Sequence, residues 1–77
     1  MERALIQDWT DSQVTLRSGE ERDVKYRVFK EGGALYQEIC EADGKLIHML
    51  EMPEGMRLDR KSYEVMLRYV LLDVVAA

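Results

Sequence analysis

The single histidine and the single cysteine of this 77-residue chain are the residues best suited to chemistry. His48 could serve as a general base and Cys40 as a nucleophile, provided that the two side chains meet. Both lie in segments with strand character, and the register derived below places them on opposite faces of one sheet. A Cys–His pair is therefore not expected, and His48 is predicted to be a structural histidine beside Ile39.

Metal, phosphate and dinucleotide sites require sequence patterns that this chain does not show. Structural zinc takes several Cys and His ligands, whereas this chain offers one of each. The acidic stretches at residues 20–23 and 41–43 lack the ligand spacing of a calcium loop, and no phosphate-binding glycine motif or serine elbow occurs. We therefore predict no catalytic residue, no metal and no cofactor, and a protein that is not an enzyme.

Three basic residues, Arg57, Arg60 and Lys61, bracket the start of a predicted C-terminal helix. Free backbone N–H groups at a helix N-terminus favour anions, so these side chains are candidate anion contacts. Basic residues in the first turn oppose the helix dipole, which slightly favours a functional reason for them. A solvated basic edge is the simpler interpretation and the one that we prefer.

Two turn sequences between residues 24 and 52 separate three segments with strand character. Gly32-Gly33 and Asp43-Gly44 both suit two-residue hairpin loops, because such loops need positive φ at both central positions. The sequence therefore predicts an antiparallel meander with strands at about 24–30, 34–41 and 45–52.

These loops fix the register, and the register fixes which residues share a face of the sheet. One face is almost entirely apolar, with Gln37 and His48 as its polar members, and is predicted to face the core. Its apolar members are Val24, Tyr26, Val28, Leu35, Ile39, Leu46, Leu50 and Met52.

The opposite face, called the outer face below, has an apolar centre and a charged rim. The register sets Arg27 opposite Glu38 and Phe29 opposite Tyr36, which are favourable cross-strand pairs. Interfaces combine an aromatic or apolar centre with a polar rim. The predicted protein-binding residues are Phe29, Tyr36, Ile47, Met49, Arg27 and Glu38. The alternative is that residues 1–16 fold across this face and bury it.

Helical periodicity begins at Asp59, which suits the N-cap of a helix reaching about residue 75. One apolar stripe of this helix can cover the core face of the sheet. It consists of Tyr63, Met66, Leu67, Val70 and Val74. A second stripe points to nearly the opposite side and consists of Val65, Tyr69, Leu72 and Ala76. An exposed apolar stripe needs another element or another subunit to cover it, so the second stripe is the predicted oligomer interface.

Residues 1–23 give the weakest pattern. A short helix around Leu5, Ile6 and Trp9 and a hairpin of residues 4–9 with 14–16 both remain open, and we slightly favour the hairpin. Residues 18–23 have no strand or helix period and are predicted to form a solvated loop.

The predicted fold is a single α+β domain, in which an antiparallel β-meander of three to five strands is packed on one face by a C-terminal amphipathic helix. A core of this size rarely supplies more than about 3–5 kcal/mol without a disulfide, a metal or a partner subunit. One cysteine cannot form an internal disulfide, so self-association is expected. Because no signal peptide or membrane span is evident, we expect a cytoplasmic protein without membrane contact.

Three functions compete for this fold, and one of them, a small enzyme subunit, has no recognisable site in the sequence. In the first of the other two, Phe29 and Tyr36 stack on the bases of a single-stranded nucleic acid while Lys25, Arg27 and Lys45 contact phosphates. In the second, the protein is a homodimeric interaction module that acts as an adaptor, regulator or inhibitor of a protein partner. The net charge of −4 opposes binding to nucleic acid and favours the second.

The element order also resembles a known family. Strands followed by Gly55-Met56-Arg57-Leu58 and a helix led by Asp59 resemble the transcription coactivators of the PC4 type, a ββββα family. The resemblance covers about residues 24–75 and implies dimerisation through the helix and single-stranded DNA bound on the sheet. No residue role is carried over from it, because Glu38 and Glu51 stand among the would-be phosphate contacts.

Overall fold

Four strands form one antiparallel sheet, and a C-terminal helix covers one of its faces. The computed structural model describes residues 3–16 and 18–74, with side chains described as far as Leu71. The strands are β1 (Arg3–Thr15), β2 (Glu21–Glu31), β3 (Ala34–Glu41) and β4 (Leu46–Glu51), and the helix is α1 (Arg60–Val74). The order β1-β2-β3-β4 is a meander. The predicted α+β fold is therefore confirmed.

The hairpin between β2 and β3 forms as predicted. Glu31 pairs with Ala34, and Gly32 and Gly33 have φ values of 60° and 84°. Positive φ at both central positions is the requirement of a type I′ turn, which glycine meets without strain. The resulting register sets Arg27 opposite Glu38 and Phe29 opposite Tyr36, so the predicted cross-strand pairs are confirmed.

The turn between β3 and β4 differs from the prediction. The amide of Glu41 donates to the carbonyl of Lys45 at 2.8 Å, which closes a three-residue loop ending at Gly44 instead of a two-residue one. Cys40 consequently pairs with Leu46, but a β-bulge then restores the predicted pairing of Ile39 with His48. The longer loop and the bulge offset each other, so the register from Ile39 to Glu51 is as predicted.

This bulge corrects two predicted positions. Leu46 pairs with Cys40 and is 57% exposed, so it does not belong to the core face. Ile47 packs against the core cluster and does not belong to the outer face. A bulge inserts one unpaired residue and reverses the alternation of side chains on one side of it, which is why Leu46 and Ile47 exchange places.

The N-terminal segment forms neither the predicted hairpin nor the predicted helix. β1 pairs with β2 along its length, from Arg3 opposite Glu31 to Thr15 opposite Glu21. Residues 10–13, predicted as a turn, lie within this strand, and residues 21–23, predicted as loop, begin β2. Pairing with the free edge of β2 satisfies more backbone groups than a local turn would. Residues 3–15 therefore extend the sheet and do not fold across its outer face.

The core lies between the sheet and α1. Its buried members are Val14, Val24, Tyr26, Val28, Ile39, Met52, Tyr63, Leu67 and Leu71. Leu35, Leu50, Met66 and Val70 pack against them. The helix stripe predicted to face the core is thus confirmed at Tyr63, Met66, Leu67 and Val70, while the side chain of Val74 lies outside the described part.

One polar contact caps α1, and another joins the helix to the sheet. Asp59 Oδ1 accepts a hydrogen bond from the backbone N–H of Ser62 at 2.8 Å, which confirms the predicted N-cap and lowers the pKa of the Asp59 carboxyl. The fully buried Gln37 donates from Nε2 to the carbonyl of Tyr63 at 3.0 Å. The Asp59 bond satisfies a free N–H of the first turn, and the Gln37 bond holds that turn against β3.

Candidate protein-binding surface

The centre of the outer face is a pair of stacked aromatic rings on β2 and β3. The rings of Phe29 and Tyr36 have centroids 5.5 Å apart and an interplanar angle of 24°. The guanidinium of Arg3 lies 4.0 Å from the Phe29 centroid, and Leu5 pairs with Phe29 from β1. These neighbours leave Phe29 only 1% exposed. Phe29, predicted to contact a partner directly, instead supports the surface from below.

Trp9 stands beside this pair and was not predicted to belong to the outer face. Its ring centroid lies 4.8 Å from the guanidinium carbon of Arg27 and 5.1 Å from Lys25 Nζ. Both distances suit cation–π contacts. The indole remains 38% exposed. Trp9 is therefore held in place by two cations and still meets solvent.

Two β-bulges explain why sequence reasoning missed Trp9. The pairing of β1 with β2 shifts between Leu5 and Gln7 and again between Gln7 and Thr10. Each shift breaks the alternation of side chains along the strand, so period-two counting cannot assign a face to Trp9. The feature that could have placed Trp9 on this face is its position on the strand next to Lys25 and Arg27 of β2, since a tryptophan ring commonly packs against such cations.

Exposed apolar side chains lie on both sides of the aromatic centre and further along the same face. They are Leu5, Trp9, Leu46 and Met49, which are between 38% and 57% exposed. A shallow groove of about 390 Å³ runs between Arg3, Phe29, Tyr36 and Met49. The outer face therefore combines two stacked aromatic rings, exposed apolar side chains and a shallow groove.

The arginines of the outer face are already paired with carboxylates. Arg27 Nε lies 2.7 Å from Glu38 Oε1, and Arg3 Nε lies 3.1 Å from Glu31 Oε2. The side chains of Arg27 and Glu38 are 27% and 19% exposed, so water screens this pair less than it would an exposed one. Arg27 and Glu38, both predicted binding residues, thus form an ion pair on the same face as Trp9 and Tyr36.

The second helix stripe is exposed as far as the structure describes it. Val65 is 43% and Tyr69 is 64% exposed. A groove of about 580 Å³ adjoins them, with Pro53, Met56 and Met66 among its lining residues. Of the other two predicted interface residues, Leu72 has no described side chain and Ala76 lies outside the described residues.

Two of the candidate anion contacts, Arg57 and Lys61, line the 580 Å³ groove, and Arg60 does not. Arg57 Nε lies 3.5 Å from Asp59 Oδ2, and Arg60 Nε lies 3.4 Å from Glu64 Oε2. Asp59 also occupies the backbone N–H of Ser62. Lys61 is exposed at the rim of the 580 Å³ groove. Because carboxylates already face both arginines, the anion contact stays a prediction without further support.

His48 and Cys40 lie on opposite faces, as predicted. His48 pairs with Ile39 on the core side, whereas Cys40 pairs with Lys25 on the outer side. Cys40 is 4% exposed, and burial raises the pKa of its thiol. A raised thiol pKa lowers the fraction of the reactive thiolate. Within residues 3–16 and 18–71, no three His, Cys, Asp or Glu side chains are placed to hold a metal ion.

Comparisons of the chain with protein-family models, with curated proteins and with solved structures find no match. In the part of the chain that the structure describes, no helix has the length and apolar character needed to cross a membrane.

Proposed function

We propose that this protein is a non-enzymatic, cytoplasmic interaction module whose outer face binds a protein partner, which it recruits, regulates or inhibits. The observation that carries the proposal is the exposed set Trp9, Leu46 and Met49 on the face that also holds the half-buried Tyr36. Trp, Tyr, Met and Arg are the residue types that interfaces concentrate.

The rigidity of this surface supports the same conclusion. Trp9 is held by Lys25 and Arg27, and Tyr36 is held by its stacking on Phe29. Side chains that are ordered before binding lose little conformational entropy when a partner arrives. The outer face therefore offers contacts whose entropic cost is largely met in the free protein.

Single-stranded nucleic acid fits this surface less well. Phe29 is buried and cannot stack on a base, and carboxylates within 3.1 Å neutralise Arg3 and Arg27. We expect a fluorescent oligonucleotide to show no saturable binding below about 10 μM at physiological salt, near the tight end of ordinary non-specific affinity. Tighter binding that is lost in folded Trp9→Ala and Tyr36→Ala variants would replace the protein-binding proposal with the nucleic-acid one.

A second part of the proposal is that the module is a homodimer formed through α1. Val65 lines the 580 Å³ groove, and Tyr69 projects one helical turn further along the same side. If two copies pair antiparallel about a two-fold axis near residue 67, Tyr69 of each copy faces Val65 and the groove of the other. Such a self-complementary contact forms a closed dimer and buries the exposed side chains of Val65 and Tyr69.

Light scattering tests the dimer. We expect wild type to have the mass of two chains at tens of micromolar, which is far above the dissociation constant of an ordinary stable dimer. Tyr69→Glu should give a folded monomer. Arg68 is exposed beside Tyr69, and Arg68→Glu should leave the mass of the dimer nearly unchanged. A monomeric wild type at that concentration contradicts this part of the proposal and leaves the outer face untouched.

Quantitative capture from the native host tests the partner surface. Met49→Ser and Leu46→Ser on the outer face should both reduce recovery of the same host protein. Leu58→Ser is the matched control, because Leu58 is exposed to a similar degree, 55%, and lies outside the sheet in the segment before α1. Equal recovery with all three variants would exclude the outer face as the binding surface.

A further inference from the structure

The outer face carries four exposed carboxylates in addition to its aromatic centre. By register it includes Asp11, which faces Lys25, and Asp23 and Glu21, which follow on β2 opposite Gln13 and Thr15. Glu51 lies on the same face opposite Tyr36. All four carboxylates belong to exposed residues.

Some charged side chains of this face form ion pairs within the chain, and only the others are available to a partner. Arg3 and Arg27 are matched by Glu31 and Glu38. Among the described residues, no Lys or Arg lies within ion-pair distance of the four carboxylates named above, and only two lysines near this face, Lys25 and Lys45, also lack a carboxylate at that distance. The charge that remains for a partner is therefore negative.

Three of the four carboxylates, those of Asp11, Glu21 and Asp23, lie at one end of the face, whereas Glu51 lies at the other. A groove of about 470 Å³ is lined by Asp11, Gln13, Asp23 and Ala42. Gln13 Nε2 donates to Asp23 Oδ1 at 3.2 Å, so the amide of Gln13 stabilises this carboxylate without neutralising it. Trp9 lies two residues before Asp11 on β1. A long basic side chain can place its cation in this groove and rest its apolar stem against Trp9.

We infer that the partner of the outer face is a basic protein segment, with Lys or Arg side chains at the Asp11–Asp23 end and an apolar side chain over Trp9 and Met49. This inference rests on the proposed function and specifies its partner chemistry. Complementary charge around an apolar centre raises the association rate and fixes orientation. It also makes the face repel nucleic acids and acidic proteins.

Amide NMR spectra of the full chain, titrated with an octalysine peptide at low salt, test this inference. The largest shifts are expected at Asp11, Gln13, Glu21 and Asp23, with a change at the Trp9 indole. The double variant Asp11→Asn with Asp23→Asn should weaken octalysine binding about fivefold, whereas Glu54→Gln, in the exposed segment before α1, should change it less than about twofold. Octaglutamate and an oligothymidylate should cause no comparable shifts.

Two results overturn the inference. One is a set of shifts spread evenly over all acidic residues or centred near Glu54 and Asp59. The other is equal octalysine affinity for the double variant and Glu54→Gln, with melting curves showing that both are folded. Recovery of a host protein that still depends on Leu46 and Met49 would then keep the proposed function and reject only the basic partner. If octalysine binding does not depend on Asp11 and Asp23, and recovery of the host protein does not depend on Leu46 and Met49, both the basic partner and the proposed function are rejected.

Discussion

The two faces of the sheet bury their central aromatic residues by different means. Tyr26 on the core face is fully buried under α1, with its ring 6.5 Å from that of Tyr63 at an angle of 66°. Phe29 on the outer face is buried to nearly the same extent, but beneath Arg3, Leu5 and Tyr36. The cover of Tyr26 is a helix with its own backbone hydrogen bonds, whereas the cover of Phe29 consists of side chains of the same sheet.

This difference suggests which face is available to a partner. The core face is closed by residues that cannot leave without unfolding the chain, such as Leu67 and Leu71, both 0% exposed. The outer face is covered by side chains alone, and it keeps Trp9, Leu46 and Met49 in contact with solvent. A partner can therefore add a layer to the outer face without disturbing the core.

The same substitution on the two faces gives the largest expected contrast. Leu67→Ala should lower the free energy of unfolding by about 3–5 kcal/mol, because Leu67 is fully buried and its removal leaves a cavity. A core of this size supplies roughly that much, so this variant should be largely unfolded. Leu46→Ala should change stability by less than about 0.5 kcal/mol. Circular dichroism in buffer measures the loss of structure in Leu67→Ala, and urea unfolding measures the small change in Leu46→Ala. A Leu67→Ala variant as stable as Leu46→Ala would contradict the assignment of the two faces.

Phe29→Ala should have the next largest effect. We expect a loss of about 3 kcal/mol, at the low end for a buried phenylalanine, because Arg3 and Leu5 can partly collapse into the space. Arg3→Ala uncovers the ring without removing it and should cost about 0.5–1 kcal/mol. Thermal melts of both variants sharpen the comparison. A negligible effect of Phe29→Ala would show that the outer aromatic residue is a free contact and not a support.

Removal of single hydroxyl groups gives the smallest contrast, and it concerns the core face alone. Tyr26 Oη accepts a hydrogen bond from Gln7 Nε2 at 3.0 Å, whereas Tyr63 Oη is buried without a partner among the described residues. Tyr26→Phe should therefore cost about 0.5–1.5 kcal/mol, and Tyr63→Phe should be neutral or slightly stabilising. Denaturant midpoints distinguish them. A larger loss for Tyr63→Phe would show that its hydroxyl has a partner after all.

Much of the fold followed from local sequence signals. Gly32-Gly33 required a tight turn, and that turn alone set the pairs Arg27–Glu38 and Phe29–Tyr36. Asp59 supplied the N-cap. These features were predictable because each depends on residues close together in the chain or on strict alternation from a turn of known length.

The errors arose where alternation is interrupted. The bulge in β4 exchanged Leu46 and Ile47, and the bulges in β1 hid Trp9. Bulges depend on how a strand fits its neighbour across the sheet, which a single sequence does not display. The burial of Phe29 was missed for a related reason, since Arg3 reaches it from a strand whose pairing was unknown.

Trp9 offers the most direct test of the central claim, that partners bind the outer face. It is the only tryptophan of the chain, so biosynthetic replacement by fluorotryptophan gives one fluorine NMR signal from the middle of that face. When the captured host partner is added to saturation, we expect this signal to shift and to lose its response to the solvent isotope, because the indole becomes buried. Unchanged position and unchanged solvent response, with binding confirmed by co-migration, would contradict the claim.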